Sequence, residues 1–107
     1  MNIISVANDF TRFPAGRYKR NGDTSGEAFR ERFLEEPLQK GEHITVDFDG
    51  TVGYGSSFLE EAFGGVVRKL KLPANFVLEH LTLRSSDASI VDEVREYVLD
   101  AGNASRA

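Results

Sequence analysis

Residues 43–48 alternate. Ile44, Val46 and Phe48 fall on one side of an extended chain, and Thr45 and Asp47 fall on the other. A strand covered on both faces would read as a continuous apolar run. This pattern therefore predicts a sheet with helices mainly on one face. Downstream the period changes: Phe58, Leu59, Ala62, Phe63, Val66, Val67 and Leu70 recur at helical spacing. Ser57 and Glu60 are spaced as a capping box for that helix. Gly64-Gly65 interrupts it, at roughly 1 kcal/mol per Gly relative to Ala. Such a cost implies close approach of the helix backbone to a neighbouring element or a partner.

The remaining elements follow the same reading. Residues 2–7 form a short strand, and Arg17-Tyr18-Lys19 a candidate second one. Thr24 to Glu27 reads as a capping box opening a helix that carries Phe29, Phe33 and Leu34 and stops at Pro37 and Gly41. Residues 75–84 are rich in apolar side chains and read as a strand, with a slip in alternation at Glu79-His80. Ser86-Asp87 starts a last helix, with Ile90, Val91, Val94, Tyr97 and Val98 inward and Gly102 just past its end. The order predicts one α/β domain over residues 1–107, with parallel strands joined through 43–48.

Composition narrows the function classes. With 40% hydrophobic residues, eight Phe and three Tyr, the chain is expected to fold around a single core. A net charge of −4 argues against nucleic acid as a partner. Without cysteine there is no thiolate metal site and no disulfide, which fits a cytoplasmic protein. No segment approaches the ~20 apolar residues of a membrane span, and the start has no basic, then apolar, leader.

Candidate chemistry centres on residues 44–58, ITVDFDGTVGYGSSF. Asp47-Phe48-Asp49-Gly50-Thr51 resembles the opening motif of the haloacid-dehalogenase-like phosphatases, in which the first Asp attacks phosphorus and the second is the acid/base. That chemistry also needs a third acidic site for Mg²⁺ and a cation near the phosphoryl group. Only Asp87 is available for the first, and Lys69 and Lys71 for the second. Too little chain follows Asp49 for the remaining strands of such an enzyme. A minimal aspartate-based phosphohydrolase is therefore the alternative reading; the simpler one places Asp47 and Asp49 at a strand end and turn.

The longer stretch resembles another family. The segments GRY (16–18), SGEAFR (25–30) and DFDGTVGYGSSFLEEAFGGVVR (47–68) are similar, in the same order, to a family of small STAS-like proteins of uncharacterised function. That family is related to the STAS domains of bacterial anti-sigma-factor antagonists. The resemblance implies a small mixed sheet and a non-enzymatic regulatory module without cofactor or metal. It also implies a protein partner, of which a kinase-like ATPase is the candidate, in a partner-switching system controlled by serine phosphorylation. By position, Ser56 matches the STAS phosphoacceptor and Ser57 its following serine. Gly55 stands where the antagonists have Asp, and Phe58 where they have Gly.

Physics offers two readings of these serines. Ser57 is a cap with Ser56 beside it in a tight loop, or Ser56 is functional. In the second case Glu60 and Glu61 in the first helical turn would repel a phosphate and favour release of a partner. The expected contact surface is then Tyr54, Gly55, Ser56, Glu60 and Glu61. Arg17, Lys19 and Arg20 form a candidate loop for an anion, a nucleotide phosphate or an acidic partner. Glu27 and Arg30 are spaced to pair on a helix surface. Self-association through an edge strand or the Gly64-Gly65 helix is a further possibility.

Overall fold

The computed structural model describes residues 2–104. Three strands, β1 (Asn2–Ser5), β2 (Ile44–Asp47) and β3 (Leu81–Arg84), form one sheet in the order β1-β2-β3, every pair parallel. Cα partners run Ile3 to Thr45 to Thr82, and Ile4 to Val46 to Leu83. Each residue therefore shares a face with its cross-strand partners. Ile4, Ile44, Val46 and Leu81 are buried on the helical face, while Ile3 and Thr82 are exposed on the other. The alternation at 44–48 has this physical meaning: helices lie mainly on one side of the sheet.

The sheet is parallel rather than mixed because the candidate strand at 17–19 is not one. Its backbone is committed elsewhere: Glu27 N–H donates to the Arg17 carbonyl, the Lys19 N–H donates to the Glu27 carboxylate, and a single 3₁₀ turn follows at Lys19–Asn21. Gly16 and Gly22, with φ of 88° and 137°, turn the chain at either end.

Helix α1 spans residues 26–39 and helix α2 residues 56–70. Each contains one wider turn with i→i+5 hydrogen bonding, at Arg30–Leu34 and Glu60–Gly64. Pro37 does not stop α1. It lies in the last turn, after the Glu35 N–H has already bonded five residues back to the Arg30 carbonyl. The cap of α1 is Ser25, whose Oγ accepts from the Ala28 N–H, not Thr24. Helix α3 (Ala74–Glu79) occupies the first half of the segment expected to be a strand, and β3 only its last four residues. Pro73 starts it, and Phe76 and His80 stack at 4.1 Å, an i, i+4 contact that accounts for the slip in alternation. Helix α4 (Ala88–Ala104) begins after Asp87, whose carboxylate accepts from the Ser89 N–H and Oγ. It runs through Gly102 instead of ending there, because a hydrogen in place of Cβ lets it approach Ala74: a Cβ would lie 2.7 Å from the Ala74 Cβ.

The core joins the covered sheet face to α1, α2 and α4. Phe29 is at its centre, with the rings of Phe10, Phe33, Phe58 and Phe63 within 6.0 Å of its own. All nineteen buried apolar side chains belong to one cluster, so the described residues form a single core.

Candidate functional site

The loop from Phe48 to Gly55 leaves the C-terminal end of the central strand and enters α2. Two glycines shape it, Gly50 at φ 98° and Gly53 at φ 141°. Its ends are tied down. Asp47 Oδ1 accepts from the Asp49 N–H at 3.0 Å, and the Tyr54 hydroxyl donates to the Phe48 carbonyl at 2.7 Å. Tyr54 is consequently half-buried, and burial, its largest influence, pushes its hydroxyl pKa up to about 12. Asp49 Oδ1 accepts both the N–H and the Oγ–H of Ser86, at 2.9 and 3.0 Å. The Ser86 backbone bond, more than any other, holds the Asp49 carboxyl below its usual pKa. The loop after β2 is thus clasped to the loop after β3, around a small hollow lined by Phe48, Thr51, Tyr54, Ser85 and Asp87.

Asp47, Asp49 and Asp87 all lie at this end of the sheet. No group of three His, Cys, Asp or Glu side chains among the described residues is placed to hold a metal ion. Asp49 and Asp87 each spend an oxygen on neighbouring serines.

Ser56 is exposed and is the first residue of α2, with Gly55 before it as the N-cap residue in an extended conformation. Ser57 is one position inside the helix and makes no cap hydrogen bond, so the Ser57–Glu60 capping box does not form. Glu60 is drawn instead to Arg17 and Arg68. Across from Ser56, on α4, the Tyr97 hydroxyl donates to Glu93 Oε2 at 2.6 Å. That bond is the main reason the Tyr97 pKa rises to about 12, weakly opposed by the nearby Ser56 hydroxyl. Ser56, at the start of α2, thus lies near the Tyr97–Glu93 pair in the middle of α4.

Glu60 and Glu61 are not a bare acidic surface. Glu60 pairs with Arg17 through Oε1 and with Arg68 through Oε2, the latter at 2.6 Å. The Arg68 hydrogen bond is the largest of the effects that hold its carboxyl low. Glu61 is buried, with Arg30 on one oxygen and Arg17 and Arg68 at 3.3 and 3.6 Å from the other. Arg30 also reaches Glu35 at 2.7 Å, so it does not form the expected surface pair with Glu27. The result is a network of ion pairs centred on Arg17, Arg30 and Arg68 that joins the 13–25 loop, α1 and α2. It offsets the charge that a phosphate on Ser56 was expected to meet.

This network also explains Gly64-Gly65. A Cβ on Gly65 would lie 2.8 Å from the Arg30 guanidinium, and one on Gly64 would lie 3.3 Å from the Tyr97 carbonyl. The glycines make room for an ion pair on one side of α2 and for the α4 backbone on the other.

The expected anion loop is committed internally. Arg17 serves Glu60 and Glu61, Lys19 pairs with Glu31 at 2.6 Å, and Arg20 lies over the Tyr18 ring. Residues 11–13, which carry no pattern signal, come beside the central loop: the Val52 N–H donates to the Arg12 carbonyl at 2.9 Å. Phe13 and Val52 are 62% and 68% exposed. Neither was recognisable from periodicity, because both lie in irregular loops. Arg30 and Arg68 had one indirect signal, the pair of glycines in mid-helix.

No helix among the described residues is long and apolar enough to cross a membrane. Comparison with curated proteins and with solved structures gives no match. A family model described as a STAS-like domain of unknown function matches residues 25–91, more than half the chain, from the cap of α1 through β2, the Ser56 loop and β3 into α4. The chain belongs to this STAS-like family.

Proposed function

We propose that the protein is a non-enzymatic regulatory module of a cytoplasmic bacterial system, which binds a protein partner through loop 50–57 and the first turn of α2. The observation that carries this reading is the placement of Ser56. It is exposed, it opens α2, and it stands where the STAS resemblance puts the phosphoacceptor. The partner of first choice is a kinase-like ATPase, as in partner switching.

The effect of phosphate is assigned differently from a simple clash with Glu60 and Glu61, since both glutamates are matched by arginines. A phosphate adds about −1.5 to −2 charge and three acceptor oxygens. On Ser56 it competes with Glu93 for the Tyr97 hydroxyl and with Glu60 for Arg17 and Arg68. The loop and α4 surfaces shift together, and the partner is released. The phosphohydrolase alternative has weaker support, because two of the three carboxylates it would use, Asp49 and Asp87, are tied to Ser86 and Ser89.

The test is capture of the bound partner from the native cell, followed by titration with wild type, Ser56→Ala and Ser56→Asp. Binding kept by Ser56→Ala and weakened by Ser56→Asp supports the proposal. Equal affinity of all three, with Ser56 unmodified in the cell, rejects it. Mg²⁺-dependent phosphoester hydrolysis lost in Asp47→Asn would favour the enzyme.

A further inference from the structure

A hollow of about 780 Å³ lies between the end of α2, the start of α3 and the last turns of α4. Its wall divides by chemistry. Leu72, Pro73, Ala74 and Leu99 supply apolar surface, and Leu99 is 44% exposed. Helices α3 and α4 meet at Ala74 and Gly102, where a Cβ on the glycine would lie 2.7 Å from the Ala74 Cβ. Packed backbone therefore bounds the hollow on that side.

The polar part of the wall is cationic and amide. Arg68 and Lys71 line it with Asn75 and Asn103, and no carboxylate does, on a chain with 17 acidic residues against 13 basic. Arg68 is held by Glu60 through both terminal nitrogens, at 2.6 and 3.1 Å. Lys71, Asn75 and Asn103 are exposed and make no side-chain hydrogen bond or ion pair among the described residues. Lys71 also occupies a strained backbone position. It is the only described residue other than glycine with positive φ, at 56°, and it follows α2 where glycine is usual. Attraction to the helix C-terminus does not account for this lysine, since Arg68 and Lys69 already supply cations to the last turn. What lysine adds at that point is its side chain, which faces the hollow.

We propose that the hollow binds a small amphipathic monocarboxylate, an acid with an aliphatic or aromatic body. The carboxylate pairs with Lys71 and accepts from the Asn75 and Asn103 carboxamides, while the body covers Leu72, Ala74 and Leu99. A singly charged head fits because Lys71 is the unmatched cation of the wall. Glu96 and Asp100, exposed beside Leu99 on α4, would repel a second negative charge, and Arg95, one turn before Leu99, lies outside the wall. The volume falls within the range of small-molecule sites, about 300–1,000 Å³. This site is separate from Ser56 and does not rest on the partner-binding reading.

Amide chemical shifts of the isotope-labelled protein, titrated with octanoate, naphthoate, octanol and inorganic phosphate, test it. Either carboxylate, with a Kd of about 1 mM or tighter, should shift Lys71, Leu72, Leu99, Gly102 and the side-chain signals of Asn75 and Asn103. Octanol and phosphate each carry half of the required chemistry and should bind about tenfold more weakly or not at all. Lys71→Gly removes the cation and relieves the backbone. It should keep or raise the denaturation midpoint while weakening carboxylate binding about tenfold. Leu99→Ser should weaken binding as well, by removing apolar wall. Absence of shifts at these residues with either acid up to about 10 mM overturns the inference. So does octanol or phosphate binding as tightly as the acids, or unchanged affinity in Lys71→Gly.

Discussion

Arg30 on α1 and Glu61 on α2 form an ion pair with side-chain exposures of only 7% and 10%. Removing one member of a buried pair leaves the other unmatched, whereas replacing both with apolar groups is often nearly neutral. Glu61→Ala should therefore destabilise the fold by about 3 kcal/mol, with Glu35 still holding part of the Arg30 charge. The double variant Arg30→Met/Glu61→Leu should cost markedly less. Urea denaturation of the three proteins checks this; a double variant no better than Glu61→Ala would contradict it.

Gly26 should be less tolerant than Gly64. A Cβ at Gly26 would lie 2.4 Å from the Phe58 carbonyl, a backbone atom that cannot move alone. The nearest atom to a Gly64 Cβ is the far end of the flexible Glu60 side chain. Gly26→Ala is expected to cost about 1–3 kcal/mol through overpacking of α1 against α2. Thermal denaturation should place Gly64→Ala closer to wild type.

The helix starts predict a contrast between serines. Ser25→Ala removes a cap hydrogen bond and should cost about 1 kcal/mol. Ser57→Ala removes none and should stay within about 0.5 kcal/mol of wild type. Denaturation midpoints that rank the two the other way would contradict the assignment of Gly55 as the cap residue.

Acid should loosen the Glu60 contacts. The Glu60 pKa is depressed in the folded state, chiefly by Arg68 and opposed by desolvation. Its contribution is therefore fully present above the unfolded value of 4.5 and is lost as pH falls through the lower folded value. Glu60→Gln should show a smaller loss of stability below pH 4.5 than wild type, with denaturation midpoints across that range as the measurement. Equal pH slopes would show that Glu60 contributes nothing to the pair.

What was legible in the sequence was what periodicity encodes. The alternation at Ile44, Val46 and Phe48 identified the central strand and its covered face, and the repeat from Phe58 to Leu70 identified α2. Residues 75–84 misled because a six-residue helix and a four-residue strand abut there, each too short to show its own period. The capping boxes failed for a different reason. Glu27 and Glu60 have the right spacing, but distant partners, the Lys19 N–H and the Arg17 and Arg68 guanidiniums, take their carboxylates. Such pairings form between segments far apart in the chain. For the same reason, composition alone showed Glu60 and Glu61 as free acidic charge.

The wide turns at Arg30–Leu34 and Glu60–Gly64 bear on how this chain can change length. Each holds one residue more than an ordinary helical turn, and bonding resumes normally on either side. Deleting a residue inside such a turn would relax it to standard winding and leave the flanking faces in phase. The same deletion within Ala88–Ala104, which has no wide turn, would rotate everything beyond it by about 100° and swing Val98 out of the core. Single-residue gaps among relatives of this chain are therefore expected at the two wide turns and not in the last helix.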